Sequence, residues 1–230
     1  MSETSPATAS SLVPAGGSPL SELLRTATRP QHEHAETRGF VTELMGGALS
    51  REAYIDLATQ HHAIYSALEA AGERLKDDAV AAPFVMEELL RVQSLEADLA
   101  LLLGDDWRES VDLLPATVAY VERLNQIDSA AALVPHHYTR YLGDLSGGQI
   151  IARMLQRHYG MAQEELTFYT FVAVPKPKPF KDSYRELLDS AAFTPEEIDA
   201  VVAEAKVAFD LNAALFNDLG GRNASGTTAA

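Results

Sequence analysis

The sequence predicts an all-α fold: a single domain of six or seven packed helices able to hold a ligand between them. Three observations predict it. Ala and Leu are abundant, and β-branched residues dominate only short runs. Apolar residues recur at helical spacing over most of the chain. Helix start and stop residues punctuate it at short intervals, with no internal repeat.

The elements follow in order. Residues 1–18 are rich in Ser, Thr, Ala, Pro and Gly and read as a disordered leader. Ser18 is placed to cap a first helix, with Pro19 at its first position and Glu22 in its first turn, running to about Arg38. Ser50 opens a long helix to about Leu75, striped by Tyr54, Leu57, Ala58, His61, Ile64, Tyr65 and Leu68. Pro83 opens the next, which Gly104 ends after Leu103. Residues 111–130 form a fourth, with Leu114, Val118, Val121 and Leu124 on one face. A fifth spans His136 to Tyr159, interrupted at Gly147-Gly148 and stopped by Gly160. Leu166 to Val174 is β-rich, but no partner strand is present, so a loop or short helix is expected. Pro175, Pro177 and Pro179 mark a linker before a helix from Phe180 to Ala191. Thr194-Pro195-Glu196-Glu197 starts the last helix, which ends near Leu219, leaving residues 220–230 as a disordered tail and 19–219 as the domain.

Bulk properties exclude several functions. The 230 residues carry a formal net charge of −15, which argues against non-specific nucleic-acid binding. A local cationic patch for one anionic ligand remains compatible with that charge. The absence of cysteine removes disulfides, thiolate metal sites, Fe–S clusters and cysteine nucleophiles. No apolar run is long enough to span a membrane and no signal-peptide pattern is present, so the expected location is the cytoplasm.

Four groups of residues could carry chemistry. Arg25 and His32 lie seven residues apart on one helix face, and Glu36 lies one turn beyond His32. An imidazole with a carboxylate one turn away is a recurring metal-ligand arrangement, because the carboxylate takes the second ring N–H. The same spacing also fits an ordinary solvated helix face. Gly143, Gly147 and Gly148 fall within six residues, around Asp144. Each glycine costs a helix roughly 1 kcal/mol, so the backbone there either approaches something flat, bends, or crosses another helix closely. Lys181 and Arg185 form a cationic i, i+4 pair that fits an anion site or plain surface charge. Phe209, Asn212 and Phe216 share a face of the last helix, where a buried amide needs partners.

The stretch Tyr138-Thr-Arg-Tyr-Leu-Gly-Asp-Leu-Ser-Gly-Gly-Gln149 resembles the signature of the haem oxygenases, of the bacterial, soluble, biliverdin-producing kind. Three further segments resemble the family in the same order: residues 27–36 around His32, residues 180–185, and residues 205–216. Together the resemblance covers about 18 to 219. It implies a bundle that sandwiches haem between the first, proximal helix and a kinked Gly-rich distal helix. It implies oxidative cleavage of haem b at the α-meso carbon to biliverdin, carbon monoxide and ferrous iron. Haem is then both substrate and oxygen-activating cofactor, with dioxygen as co-substrate and electrons from a ferredoxin or flavoprotein reductase. By the same resemblance His32 is the axial iron ligand and Glu36 its partner. Asp144, Gly143 and Arg140 belong to the distal, catalytic side, with Gly147 on the haem face. Arg25, Tyr138, Lys181 and Arg185 match positions that hold the propionates, and Phe209, Asn212 and Phe216 match pocket positions. A monomer or weak dimer is expected.

The chain departs from the family pattern at Pro30, where the helix should bend or restart, at Arg25, where Lys is common, and at His62, where Tyr is common. His34, two residues past His32, should point away from the ligand. A haem carrier or sensor on the same scaffold would not need Asp144 and the glycines. A thiamine-type hydrolase would need a cysteine, and a ferritin-like di-iron protein would need paired Glu-x-x-His motifs.

Overall fold

The computed structural model describes residues 18–31 and 39–226. Among them there are helices and turns and no strand. The α-helices are α1 (Leu20–Ala27), α2 (Phe40–Gly46), α3 (Arg51–Arg74), α4 (Val92–Leu103) and α5 (Pro115–Asn125). They continue with α6 (Ala130–His137), α7 (Gly143–Tyr159), α8 (Pro177–Ser190) and α9 (Pro195–Gly226). A π-helical turn, Tyr138–Leu142, joins α6 to α7.

The first helix starts one residue later than expected, because Pro19 and not Ser18 is its N-cap. Its free donors are satisfied from outside: the Ser21 N–H and hydroxyl donate to the two carboxylate oxygens of Asp189 on α8, at 2.8 and 2.9 Å. It also ends early, at Ala27 instead of Arg38. The Thr28 hydroxyl donates back to the Leu24 carbonyl at 2.8 Å, and Pro30 has no N–H for the turn before it. Residues 29–31 are helical again, as the restart at Pro30 requires. His32, His34 and Glu36 lie outside the described residues, as does the leader up to residue 17.

The expectation left 39–49 unassigned, and α2 forms there between left-handed glycines at Gly39 (φ 74°) and Gly47 (φ 75°). The α3 stripe is buried as its spacing requires. Pro83, by contrast, opens only a 3₁₀ turn, and α4 begins at Val92. There the N–H groups of Arg91 and Val92 donate to Glu69 on α3, at 2.5 and 3.0 Å, a cap that local sequence does not announce. Likewise α5 is shorter than 111–130, and the Ala116 N–H is taken by Asp218 of α9 at 2.9 Å.

The expected break at Gly147-Gly148 is misplaced. Those residues continue α7 regularly, and the irregularity is the π turn ahead of them, one residue after a helix that already contains Pro135. Gly160 (φ 64°) stops α7 as expected. Residues 166–174 hold a 3₁₀ turn, Thr167–Tyr169. The helix after the linker starts at Pro177, earlier than Phe180, since proline at N1 has no intrahelical N–H to lose. Thr194 and Glu197 cap α9 reciprocally, at 2.7 and 3.3 Å. That helix passes Leu219 and makes 220–226 helical instead of tail, with Arg222 bonded to Asp56 and Asp112.

Helix α3 runs through the centre, packed by α4, α5 and α6, while α9 crosses α5 and α6 and reaches α1 and α2. The main core holds Tyr54, Tyr65, Tyr120, Tyr141 and Phe168. A second cluster, with Leu24, Phe84, Tyr184 and Leu188, seats α1 and α8.

Candidate active site

The π turn is where the elements converge. It swings Arg140 inward, so that the guanidinium lies 4.8 Å above the Tyr65 ring of α3 and donates to Asn212 Oδ1 of α9 at 2.5 Å. One turn on, Asp144 opens α7 and accepts a hydrogen bond from the Tyr65 hydroxyl. Tyr65 and Arg140 are buried, Asp144 half-buried. Burial pushes the Asp144 carboxyl up to about 6, opposed by Arg140, the Tyr65 hydroxyl and Arg91. Burial also pushes the Tyr65 phenol well up, so it stays a donor. Arg140 loses solvation, but Tyr65, Asp144 and Tyr120 around it hold it cationic. The group is a carboxyl able to gain or lose a proton near neutrality, oriented by a phenol and a fixed cation.

The glycines divide into two kinds. A Cβ on Gly143 or Gly147 would meet nothing within 4 Å. A Cβ on Gly148 would lie 2.9 Å from Tyr169 Cδ1. Gly148 therefore serves packing, whereas Gly143 and Gly147 leave a bare backbone face beside Asp144. A flat ligand can touch such a face, and a side chain at either position would occupy its place. The residues present thus fit a planar macrocycle.

A cleft of about 700 Å³ is lined by Arg25, Arg29, Tyr138, Arg185 and Phe209. The structure so brings together three expected propionate residues and one pocket residue from four elements. Arg25 is exposed, 3.6 Å from Glu22, and Arg185 donates to Asp182 at 2.7 Å. Lys181 does not line this cleft. Its ammonium donates to Ser146 Oγ on α7 at 2.9 Å, between the two bare glycines in sequence. Phe216 packs, half-buried, against the main core. His62 lies against Trp107 (4.8 Å between rings), not at Asp144. The partner of Asp144 is Tyr65, which the sequence presents as one more apolar member of the α3 stripe. Its hydroxyl was the available signal, since a buried phenol needs a partner.

A family model described as heme oxygenase matches residues 18–218. The chain belongs to the haem oxygenase family. It is 41% identical over 206 residues to heme oxygenase 1 of Rattus norvegicus, covering 87% of this chain and 71% of that protein. It is 36% identical to heme oxygenase 1 of Synechocystis sp., covering 88% and 85%. The fold matches the crystal structure of Synechocystis heme oxygenase-1 in complex with heme, with a TM-score of 0.86, 34% identity, and 92% and 96% coverage. The Synechocystis heme oxygenase-2 complex with heme and NO follows at a TM-score of 0.83, with 33% identity and coverage of 88% and 85%. This haem oxygenase is accordingly all-helical and a haem-degrading oxygenase. No helix among its described residues is long and apolar enough to cross a membrane.

Proposed function

We propose that this haem oxygenase opens haem b at the α-meso carbon, giving biliverdin, carbon monoxide and ferrous iron, with dioxygen and electrons from a ferredoxin or flavoprotein reductase. The observation that carries the reading is the bare face of Gly143 and Gly147 beside a carboxyl whose proton is poised near neutrality. Bound haem supplies the iron at which oxygen is reduced and the ring that is oxidised.

This chain's residues supply the rest. His32 would hold the iron, with Glu36 accepting its second ring N–H. Arg25, Tyr138 and Arg185 line the cleft and would receive the propionates, and Lys181 would join them by leaving Ser146. Phe209 and Phe216 would wall the macrocycle, and Asn212 holds Arg140. Asp144 would hold or release a proton at its carboxylate oxygens. Tyr65 holds that carboxyl by its hydroxyl, and Arg140 sits over the Tyr65 ring. The bare backbone at Gly143 and Gly147 would let the macrocycle approach the helix closely.

Titration with haemin, followed by reductant in air, tests the proposal. A sharp ferric Soret band that bleaches to a biliverdin spectrum with release of iron is expected. A band that only cycles between ferric and oxy forms would instead identify a carrier or sensor. No specific band would remove His32 as the ligand.

A further inference from the structure

One buried pair adjoins two residues of the cleft. His137, the last residue of α6, and Tyr184, in the middle of α8, are 6% and 1% exposed. The Tyr184 hydroxyl lies 2.9 Å from His137 Nδ1. Their rings are parallel to within 3°, with centroids 5.7 Å apart. Tyr141 packs against His137 at 4.4 Å, and Phe84 meets Tyr184 edge-on at 5.6 Å. In this apolar box, burial drives the imidazole down to about 3 and the phenol well up. Both partners are therefore neutral at working pH, and the phenol, the stronger donor, donates its O–H hydrogen bond to Nδ1.

The consequence lies in the chain neighbours. Tyr138 follows His137 and Arg185 follows Tyr184, and both line the cleft. Each member of the pair is thus covalently adjacent to one cleft residue. Helix α8 is tied towards its start to α7 by Lys181 and towards its end to α1 by Asp189. The His137–Tyr184 bond ties its middle to the end of α6, next to the π turn that carries Arg140 and leads into Asp144.

We propose that the His137–Tyr184 hydrogen bond is a positioning pin that fixes Tyr138 against Arg185 across the cleft, and so selects the in-plane orientation of the porphyrin and the meso carbon attacked. This rests on the function proposed above. A porphyrin is nearly symmetric about its normal apart from its propionates. The separation of the groups that hold those carboxylates is therefore what distinguishes one orientation from another. A small slide of α8 along the π turn changes that separation without removing any cation.

The test uses the full chain with haemin. Tyr184→Phe keeps the ring and removes the hydroxyl. His137→Leu removes the acceptor, and His137→Gln restores one with its amide oxygen. Biliverdin isomers are separated by chromatography, and haem orientations are counted by proton NMR of the ferric cyanide complex. Wild type is expected to give one dominant isomer. Tyr184→Phe and His137→Leu should both give mixed isomers and a second set of haem resonances, with haemin binding weakened about three- to tenfold, the worth of one neutral hydrogen bond. His137→Gln should return to one isomer. An unchanged isomer ratio and a single resonance set in both Tyr184→Phe and His137→Leu would overturn the pin. Failure of the function proposal looks different: wild type itself would bind no haemin or form no biliverdin.

Discussion

At the residue scale, the site turns on a carboxyl kept from ionising easily. Asp144 combines partial burial, which favours its neutral form, with a phenol and a guanidinium that favour the carboxylate. Asp144→Ala should still bind haemin but lose biliverdin formation by about a hundredfold or more, the usual worth of a placed proton donor. Unchanged turnover would remove Asp144 from the mechanism. The same group affects stability. Its folded pKa of about 6 lies above its ordinary 3.8, so between those values the folded protein holds a proton that the unfolded chain has released. Stability contributed by the neutral carboxyl is present at low pH and is lost as the pH rises through 6. Asp144→Asn, which cannot ionise, should therefore raise the stability of the haem-free protein above pH 6 by on the order of 1–2 kcal/mol. Urea denaturation at pH 3.5 and pH 8 checks this: the gain should be present at the higher pH and largely absent at the lower, which lies below the ordinary 3.8.

At the element scale, α7 shows three glycines with different duties. Gly143 and Gly147 face open space, so alanine there fits the haem-free protein and removes backbone freedom. Gly143→Ala with Gly147→Ala should stabilise the haem-free protein by about 0.5–1 kcal/mol per site. Haemin affinity and turnover should fall, because the methyl groups stand on the bare face. Gly148→Ala should do the reverse. Its Cβ would press on the Tyr169 ring at 2.9 Å, so stability should drop by roughly 1–3 kcal/mol through overpacking. Thermal denaturation of the three variants, with and without haemin, separates the two duties. If all three behaved alike, the division between ligand face and packing face would be wrong.

Sequence and structure agree best where an element is fixed by its own residues. The α3 stripe, the Thr194–Glu197 cap, the Gly160 stop and the turn at Pro30 are all local, and all are found where the residues place them. The starts of α4 and α5 are not local. Glu69 and Asp218 cap them from other helices, so their true boundaries appear only once α3 and α9 are in place. The π turn was invisible for the same reason: the glycines are the conspicuous residues, but the irregularity falls ahead of them.

At the scale of the whole molecule, helices far apart in sequence are joined by buried polar groups. Glu204 of α9 is the clearest case. It accepts from Arg123 of α5 at 2.7 Å and lies 2.8 Å from Nε2 of the buried His136 of α6. Burial opposes its charge, but His136 and Arg123 prevail and hold it down to about 2, below its ordinary 4.5. Its stabilisation is then fully present above pH 4.5 and is lost as the pH falls from there towards 2. Arg123 is partly exposed, so solvent screening trims the effect to roughly 2 kcal/mol at neutral pH. Glu204→Gln should lose about that much at pH 7 and less than half of it at pH 3, read as the shift in urea midpoint. Equal losses at both pH values would mean that packing, not charge, is what Glu204 contributes.

The sequence by itself determined that this chain is all-helical, where most helices lie, and which short segments make up the candidate site: the Gly-Asp run of 143–148, the cations of α8 and the apolar face of α9. Those properties depend on neighbours within a turn or two, and periodicity and capping residues record them directly. Only the tertiary structure decided which residues meet. It paired Asp144 with Tyr65, set Arg140 on Asn212, separated Gly148 from the two glycines of the open face, and moved Lys181 from the cleft to Ser146. Each of these is a contact between side chains far apart along the chain, where burial gives a polar atom or a missing side chain its meaning, and burial is a property of the packed whole.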